Sequence, residues 1–322
     1  MILRLFRKFG FLEVWCRRIS MSSPKMRKFF KKLYKKILGD KRPTASDTAL
    51  DTQQKQEESR AALFQHLENL GIQNGDILIV HSDFDVLKKT GIKPKEIIDF
   101  LLMLVGEEGT LAFPAYPVTT RPDIFANQNA EKLVYDPKRT PSWTGLIPNV
   151  FCMYPGVVRS PFPYNSLAAK GKHAEAMMEG NLDGLYPHDR KSAWGYCIEH
   201  HAKILFISAE MIRSNTLNHA TEDYMEDRWP IDNWYEEKEY IVKTEQGEIS
   251  KKIKVFSGKW TKYARPNRLV QLMCDKGLAR EARVKGVYVG FIPDAKEYLN
   301  EQITMAEKGW LRYMIPRKYY KK

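Results

Sequence analysis

In the segment Thr216-Leu-Asn-His219-Ala-Thr-Glu222 a histidine and a carboxylate stand three residues apart. On a helical turn that spacing brings both side chains to one face. An imidazole titrates near neutral pH. A carboxylate beside it can orient it and support its cationic form, which is what a base taking a proton from an amine requires. The same pair also occurs on exposed helices with no chemistry attached, so its meaning depends on what else converges there. Asp76-Ile-Leu-Ile-Val-His81-Ser82-Asp83-Phe84 is an apolar run of strand length that ends abruptly in polar groups, as a buried strand does when it delivers side chains to a site. Lys203 to Ser208 reads as a second buried strand whose end leads toward His219. Ligands of α/β sheets bind outside the carboxyl ends of strands, so these two ends are expected to share a cleft.

Further segments follow in order: Gly109 to Pro114, Pro141-Ser142-Trp143-Thr144-Gly145 continuing to Pro148, and Pro155 to Gly171 with Arg159, Ser160, Phe162 and Ser166. With the Asp76 and Thr216 segments and the late stretch Gly286 to Leu299, they resemble the aminoglycoside 3-N-acetyltransferases, also called antibiotic N-acetyltransferases. The resemblance runs from about Leu70 to about Ala306. It implies a single three-layer α/β/α domain of that type and the transfer of an acetyl group from acetyl-coenzyme A to the amine of an amino sugar. His219 would take the proton of the attacking amine, and Glu222 would orient or assist it. Ser82 or Thr216 would stabilise the oxyanion, an effect worth a few kcal/mol in other enzymes. His81, Ser82, Asp83, Phe84, Ser142, Thr144, Gly145, Arg159 and Ser166 would line the coenzyme, while Asp83, Glu222, Asp223 and Glu226 would face the acceptor. Neither a covalent intermediate nor a metal is needed.

Read from the residues alone, several of these positions keep a second meaning. Gly145 permits close backbone approach. Arg159 suits a phosphate or carboxylate, or an internal ion pair, and Trp143, Leu146 and Ile147 suit a core. From Glu222 to Glu239 eight acidic residues stand against Arg228 and Lys238, interleaved with Trp229, Trp234 and Tyr235. Such a stretch either attracts an ammonium-bearing sugar or is a solvated loop with buried tryptophans. Three positions depart from the family pattern: Asp83 where a second small hydroxyl is common, Phe162 where Arg-Ser-x-His-Pro has histidine, and Arg213 where an acidic residue is frequent. They imply retained chemistry with an altered acceptor.

Charge divides the 322-residue chain. The whole carries +13, but residues 1–43 hold 14 Lys or Arg against Glu13 and Asp40, which leaves residues 44–322 near neutral. A nucleic-acid enzyme would carry its basic charge on the folded domain, so nucleic acid is not the expected partner. From Pro24 to Leu38 the apolar positions Met26, Phe29, Phe30, Leu33, Tyr34, Ile37 and Leu38 recur at helical spacing between lysines and Arg27. A basic helix with an aromatic face suits an anionic membrane surface, at roughly 1 kcal/mol per nearby Lys or Arg. Its alternative is packing on the domain or on a second subunit of a homo-oligomer. The expected organisation is therefore a basic amphipathic N-terminal segment, 1–43, a polar linker, 44–55, and an acetyltransferase domain, 56–322.

Cys16, Cys152, Cys197 and Cys274 form no CxxC pair, which suggests a reducing cytoplasm rather than a disulfide framework. His173, His188 and His200-His201 lack the spacing of a metal site. No apolar run reaches the ~18 residues of a membrane span. A membrane-docking tail is of little use to a drug-inactivating enzyme. The sequence therefore favours an N-acetyltransferase of surface polysaccharide or lipid-linked glycan at the inner membrane face. An aminoglycoside resistance enzyme and a non-catalytic docking protein on the same fold are the alternatives.

Overall fold

The apolar run before His81 becomes the centre of a seven-stranded sheet. In the computed structural model, which describes residues 7–22, 25, 26, 28, 49–121 and 133–322, strand β1 (Ile77–Ser82) lies between β2 (Thr110–Pro114) and β6 (Lys203–Ile207), both parallel to it. Beyond β2 the sheet continues antiparallel through β5 (Leu167–Gly171) to β4 (Val158–Arg159). Beyond β6 it continues antiparallel through β10 (Val287–Ile292) to β9 (Arg280–Val284), giving the order β4-β5-β2-β1-β6-β10-β9. The β-α-β order at the start of the domain thus yields parallel pairing only in the three central strands. At the β9 edge the connection is Lys285-Gly286, both at positive φ, 47° and 88°, and so short a turn permits only antiparallel strands. A second sheet joins β3 (Leu133–Tyr135), β7 (Tyr235–Thr244) and β8 (Gly247–Phe256), with the β7–β8 hairpin turning at Glu245-Gln246.

Alternation along β1 builds two cores. Ile77 and Ile79 pack on one face with Trp194, Leu269 and Tyr298 from the helices Ala193–Glu199, Pro266–Asp275 and Ala295–Glu307. Leu78 and Val80 pack on the other with Leu63, Ile97, Leu101 and Phe151 from Ala49–Glu68, Pro94–Val105 and Leu146–Phe151. This is the three-layer α/β/α arrangement expected, with a mixed sheet in the middle. A third cluster holds Trp229, Trp234, Trp260 and Tyr313. The tryptophans of the acidic stretch are therefore core, 2% and 3% exposed for Trp229 and Trp234.

Helix Ala49–Glu68 starts inside the segment read as linker, because Gln53, Gln54, Lys55, Gln56 and Glu57 are all good helix formers. A first helix, Gly10–Ser22, packs on the domain. Val14 joins the tryptophan cluster, and the buried Glu13 carboxylate accepts from the Asn267 backbone N–H at 3.2 Å and its amide at 2.8 Å. The amphipathic pattern over 24–38 lies outside the described residues apart from Lys25, Met26 and Lys28. Among the described residues no helix is long and apolar enough to cross a membrane.

Candidate active site

The carboxyl ends of β1 and β6 open onto a cavity of about 790 Å3 lined by Ser82, Asp83, Phe84, Thr144, Gly145, Arg213 and Arg283, among others. Two local turns clear this space. Asp83 caps the short helix Phe84–Leu87 by accepting from the Asp85 N–H at 3.0 Å, and Ser208 leaves β6 at a φ of 61°. Gly145 carries the opposite wall at a φ of 123°, a conformation a Cβ would strain. Lys88, Arg213 and Arg283 supply cations at this cavity, with Glu210 accepting from Arg283 at 3.2 Å. The Ser82 and Ser208 hydroxyls are buried with no hydrogen-bond partner.

A smaller cavity of about 190 Å3 shares Ser82, Thr144, Arg213 and Ser214 with the first and reaches inward to His81, Tyr116, Trp143 and Thr216. His81 stacks on Phe206 with ring centroids 4.8 Å apart, and burial pushes its pKa down to about 3, so it stays neutral. At the inner end the Tyr116 and Thr216 hydroxyls share a short hydrogen bond. Thr216 begins the 3-10 turn Thr216–His219, which runs directly into helix Ala220–Met225.

That turn carries His219 to a pocket of about 40 Å3, walled by Tyr164, Asn165, His188, Glu222, Asp223, Trp234 and Phe256. His219 and Glu222 do lie together, yet no direct bond joins them. The Arg312 guanidinium stands between, donating to Glu222 Oε1 at 2.8 and 3.2 Å and to His219 Nδ1 at 2.9 Å. An arginine only donates, so Nδ1 accepts and the neutral ring carries its proton on Nε2. Burial, then the neighbouring charges of Arg312 and His188, hold the His219 pKa well below its ordinary value. Burial lifts Glu222 to about 7 against the pull of Arg312. Arg312, rather than Glu222, is the group that meets His219 Nδ1 in this arrangement.

The sequence-predicted residues divide between these spaces. His81, Ser82, Thr144 and Thr216 meet in the inner cavity, while Asp83, Phe84 and Gly145 line the outer one. Asp83 stands apart from the acidic pocket, so of its two expected roles only the outer one fits its place. Ser142 lies one layer back, where its hydroxyl bonds that of Thr144 at 2.6 Å. Arg159 lines none of these cavities. Its guanidinium donates to the Thr140 and Ala115 carbonyls and lies over the Tyr135 ring, and Ser166 donates to the same Ala115 carbonyl at 2.8 Å. Both residues pin the chain after β2, which the many carbonyls of an irregular loop require. Glu226 is exposed outside the small pocket, whereas Glu222 and Asp223 are buried in it. Sequence reasoning missed Arg312, which sits in an irregular stretch beyond the family-like segments, and His188, whose ring stacks on His219 with centroids 6.0 Å apart. Among the described residues there is no cluster of three or more His, Cys, Asp or Glu able to hold a metal ion.

The profile of the family described as aminoglycoside 3-N-acetyltransferase matches residues 79–302, a span that holds both cavities' strand ends and the His219 turn. The chain belongs to the aminoglycoside 3-N-acetyltransferase family. Aminoglycoside N(3)-acetyltransferase IX of Micromonospora chalcea is 29% identical over 173 residues, covering 50% of this chain and 61% of the relative. The chain spans only 58% to 61% of the length of the curated relatives it matches. Two solved structures share the fold. A binary complex of AAC-IIIb with CoASH has a TM-score of 0.62 at 22% identity, covering 78% of this chain and 97% of that one. A mutant of AAC(3)-IVa in complex with apramycin has a TM-score of 0.60 at 20% identity, covering 77% and 91%.

Proposed function

We propose that this family member is an acetyl-coenzyme A-dependent N-acetyltransferase acting on an amino group of an aminoglycoside-type amino sugar. The observation that carries the reading is the 3-10 turn Thr216–His219, whose first residue lines the inner cavity at the strand ends and whose last lines the small acidic pocket. The larger cavity suits a long, phosphate-bearing acyl donor. Lys88, Arg213 and Arg283 match its negative charge, and Ser82 and Ser208 offer unpaired hydroxyls. Asp223 and Glu222 make the adjoining pocket acidic, which suits the approach of an ammonium group. The amine nitrogen attacks the thioester carbonyl carbon, the C–S bond breaks, and coenzyme A leaves as the thiol. His219 and Glu222 stay at the centre of the reaction, with Arg312 added. As held here, His219 acts through its Nε2–H as a donor to the carbonyl oxygen, the part a neutral histidine can play.

Drug-type aminoglycosides are the favoured acceptors because the curated relatives matched are named for them. The polysaccharide reading has no such support. Coenzyme A release is to be followed with acetyl-coenzyme A and a panel of aminoglycosides and simple amino sugars. Wild type is expected to turn over at least one aminoglycoside, and His219→Ala to bind coenzyme without turnover. Absence of both coenzyme binding and thiol release from wild type would contradict the reading.

A location at an anionic membrane face is a second proposal. Phe11 and Trp15 are 54% and 60% exposed on the first helix, next to the most basic segment of the chain. Flotation with anionic vesicles should carry wild type but not a Phe11→Ser, Trp15→Ser variant, and equal flotation of both would remove the idea.

A further inference from the structure

We propose that Arg7, held by the first helix, completes the donor site of this chain as part of a subsite for the phosphoadenosine end of coenzyme A. The proposal rests on the coenzyme A-dependent reading and adds to it a segment outside residues 79–302, the span that matches the family profile. Beside the strand-end cavity lies a groove of about 270 Å3 lined by Arg7, Glu210, Asn267, Glu281, Arg283 and Tyr288, among others. Glu210, Arg283 and Tyr288 line both spaces, so the groove continues the cavity along β9 and β10.

Arg7 is held at this groove by contacts on both of its sides. Glu13, 2% exposed, grips the backbone N–H and the side-chain amide of Asn267. Gly10 lets the helix sit close, since a Cβ there would come within 3.3 Å of the Arg268 Cβ. Arg268 in turn donates to the Arg7 carbonyl at 3.1 Å. The Arg7 guanidinium donates from Nη2 to Glu281 Oε2 at 2.6 Å. That takes one of the five N–H donors a guanidinium carries, and the side chain is still 34% exposed. Asn267 is the independent sign of a ligand. It is 5% exposed, its Nδ2 is committed to Glu13, and its Oδ1 is buried with no hydrogen-bond partner among the described residues. A buried acceptor left unpaired is unfavourable, and a donor from a bound molecule would relieve it.

The groove thus sets an acceptor for an N–H group beside two guanidinium groups. A matching ligand carries an amino donor and an anion close together, as an adenine does with a phosphate on its ribose. That is the end of coenzyme A farthest from the thiol. With the thiol in the inner cavity and the diphosphate against Lys88 and Arg213, the third phosphate falls between Arg283 and Arg7, and the adenine amine turns to Asn267 Oδ1.

Calorimetry on the full chain tests this with coenzyme A, dephospho-coenzyme A, which lacks the ribose phosphate, and phosphopantetheine, which lacks the nucleotide. Thermal melts accompany each variant. Wild type should bind coenzyme A roughly three- to tenfold more tightly than dephospho-coenzyme A. Arg7→Ala should lose most of that preference and keep the wild-type affinity for phosphopantetheine. Arg7→Gln, which keeps most of the side-chain length, should behave alike and covers the case in which truncation unseats the helix. A wild type without the preference, a preference undiminished in both variants, or equal losses for all three ligands overturns the subsite and leaves the transferase reading intact. A wild type that binds none of the three overturns the donor reading itself.

Discussion

The outer cavity, which reaches Thr216 through the smaller cavity beside it, and the inner pocket at His219 are built in opposite ways. The outer one is wide, rimmed by exposed cations and paved by residues that follow directly from strand ends: Ser82 and Asp83 after β1, Ser208 and Ala209 after β6. The inner one is small, buried and acidic. It draws Asn165, His188, His219 with Glu222, Trp234, Phe256 and Arg312 from widely separated segments. A charge therefore means different things in the two places. At the outer cavity the arginines are exposed, and their pairs with Glu210 are of the solvated kind that a ligand can displace. In the inner pocket Arg312 is consumed by hydrogen bonds to a buried carboxylate and a buried imidazole.

Removing an arginine on each side is the sharpest way to break that contrast. Arg312→Ala leaves Glu222 buried without its partner, and one-sided loss of a buried pair costs roughly 3–5 kcal/mol. Denaturant midpoints should fall accordingly, with turnover abolished. A loss below about 1 kcal/mol would show that the pair is not the buried clamp described. His81, buried at the inner cavity where β1 ends, gives a pH-dependent test. Its pKa is lowered from 6.5 to about 3 by burial, so the stability it contributes is present above pH 6.5 and is lost as pH falls toward 3. The slope is about 1.4 kcal/mol per pH unit, or roughly 2 kcal/mol by pH 5. His81→Phe keeps the stack on Phe206 and should remove that share of the acid slope, while His219, shifted in the same direction, leaves a remainder. An unchanged slope would mean that His81 is reached by water. Smallest in stability is Arg283→Ala, whose pair with Glu210 is 62% and 32% exposed. It should change stability by no more than about 0.5 kcal/mol yet weaken coenzyme A binding, on the order of fivefold, in a salt-sensitive way. Equal affinities would take the cations out of the coenzyme site.

The same contrast explains what the sequence made legible. Strand ends are local signals: an apolar run that stops at His81-Ser82-Asp83 announces both a buried strand and the groups it delivers. The His219 and Glu222 pair was legible for the same reason, since three residues of spacing on one turn fix their proximity. Arg312 was not, because it is 90 residues beyond Glu222 in a stretch with no periodicity, and only the packing of the tryptophan cluster brings it home. His188 read as an ordinary histidine, because its meaning depends on Asp223, 35 residues away. Arg159 misled in the other direction. A cation within a ligand-like motif suggests a phosphate, but here its two terminal nitrogens donate to the Thr140 and Ala115 carbonyls. In the fold, hydrophobic period found the elements, and it missed the antiparallel edges because pairing direction depends on connection length.

Catalysis as proposed depends on the acyl donor entering from the strand-end cavity and meeting the amine across the Thr216–His219 turn. A crystal structure with coenzyme A bound tests this most directly. The phosphates are expected against Lys88, Arg213 and Arg283, with the thiol at the Tyr116 and Thr216 hydroxyls, facing the pocket of His188 and His219. Coenzyme A bound elsewhere, or with its thiol pointing away from that turn, would contradict it.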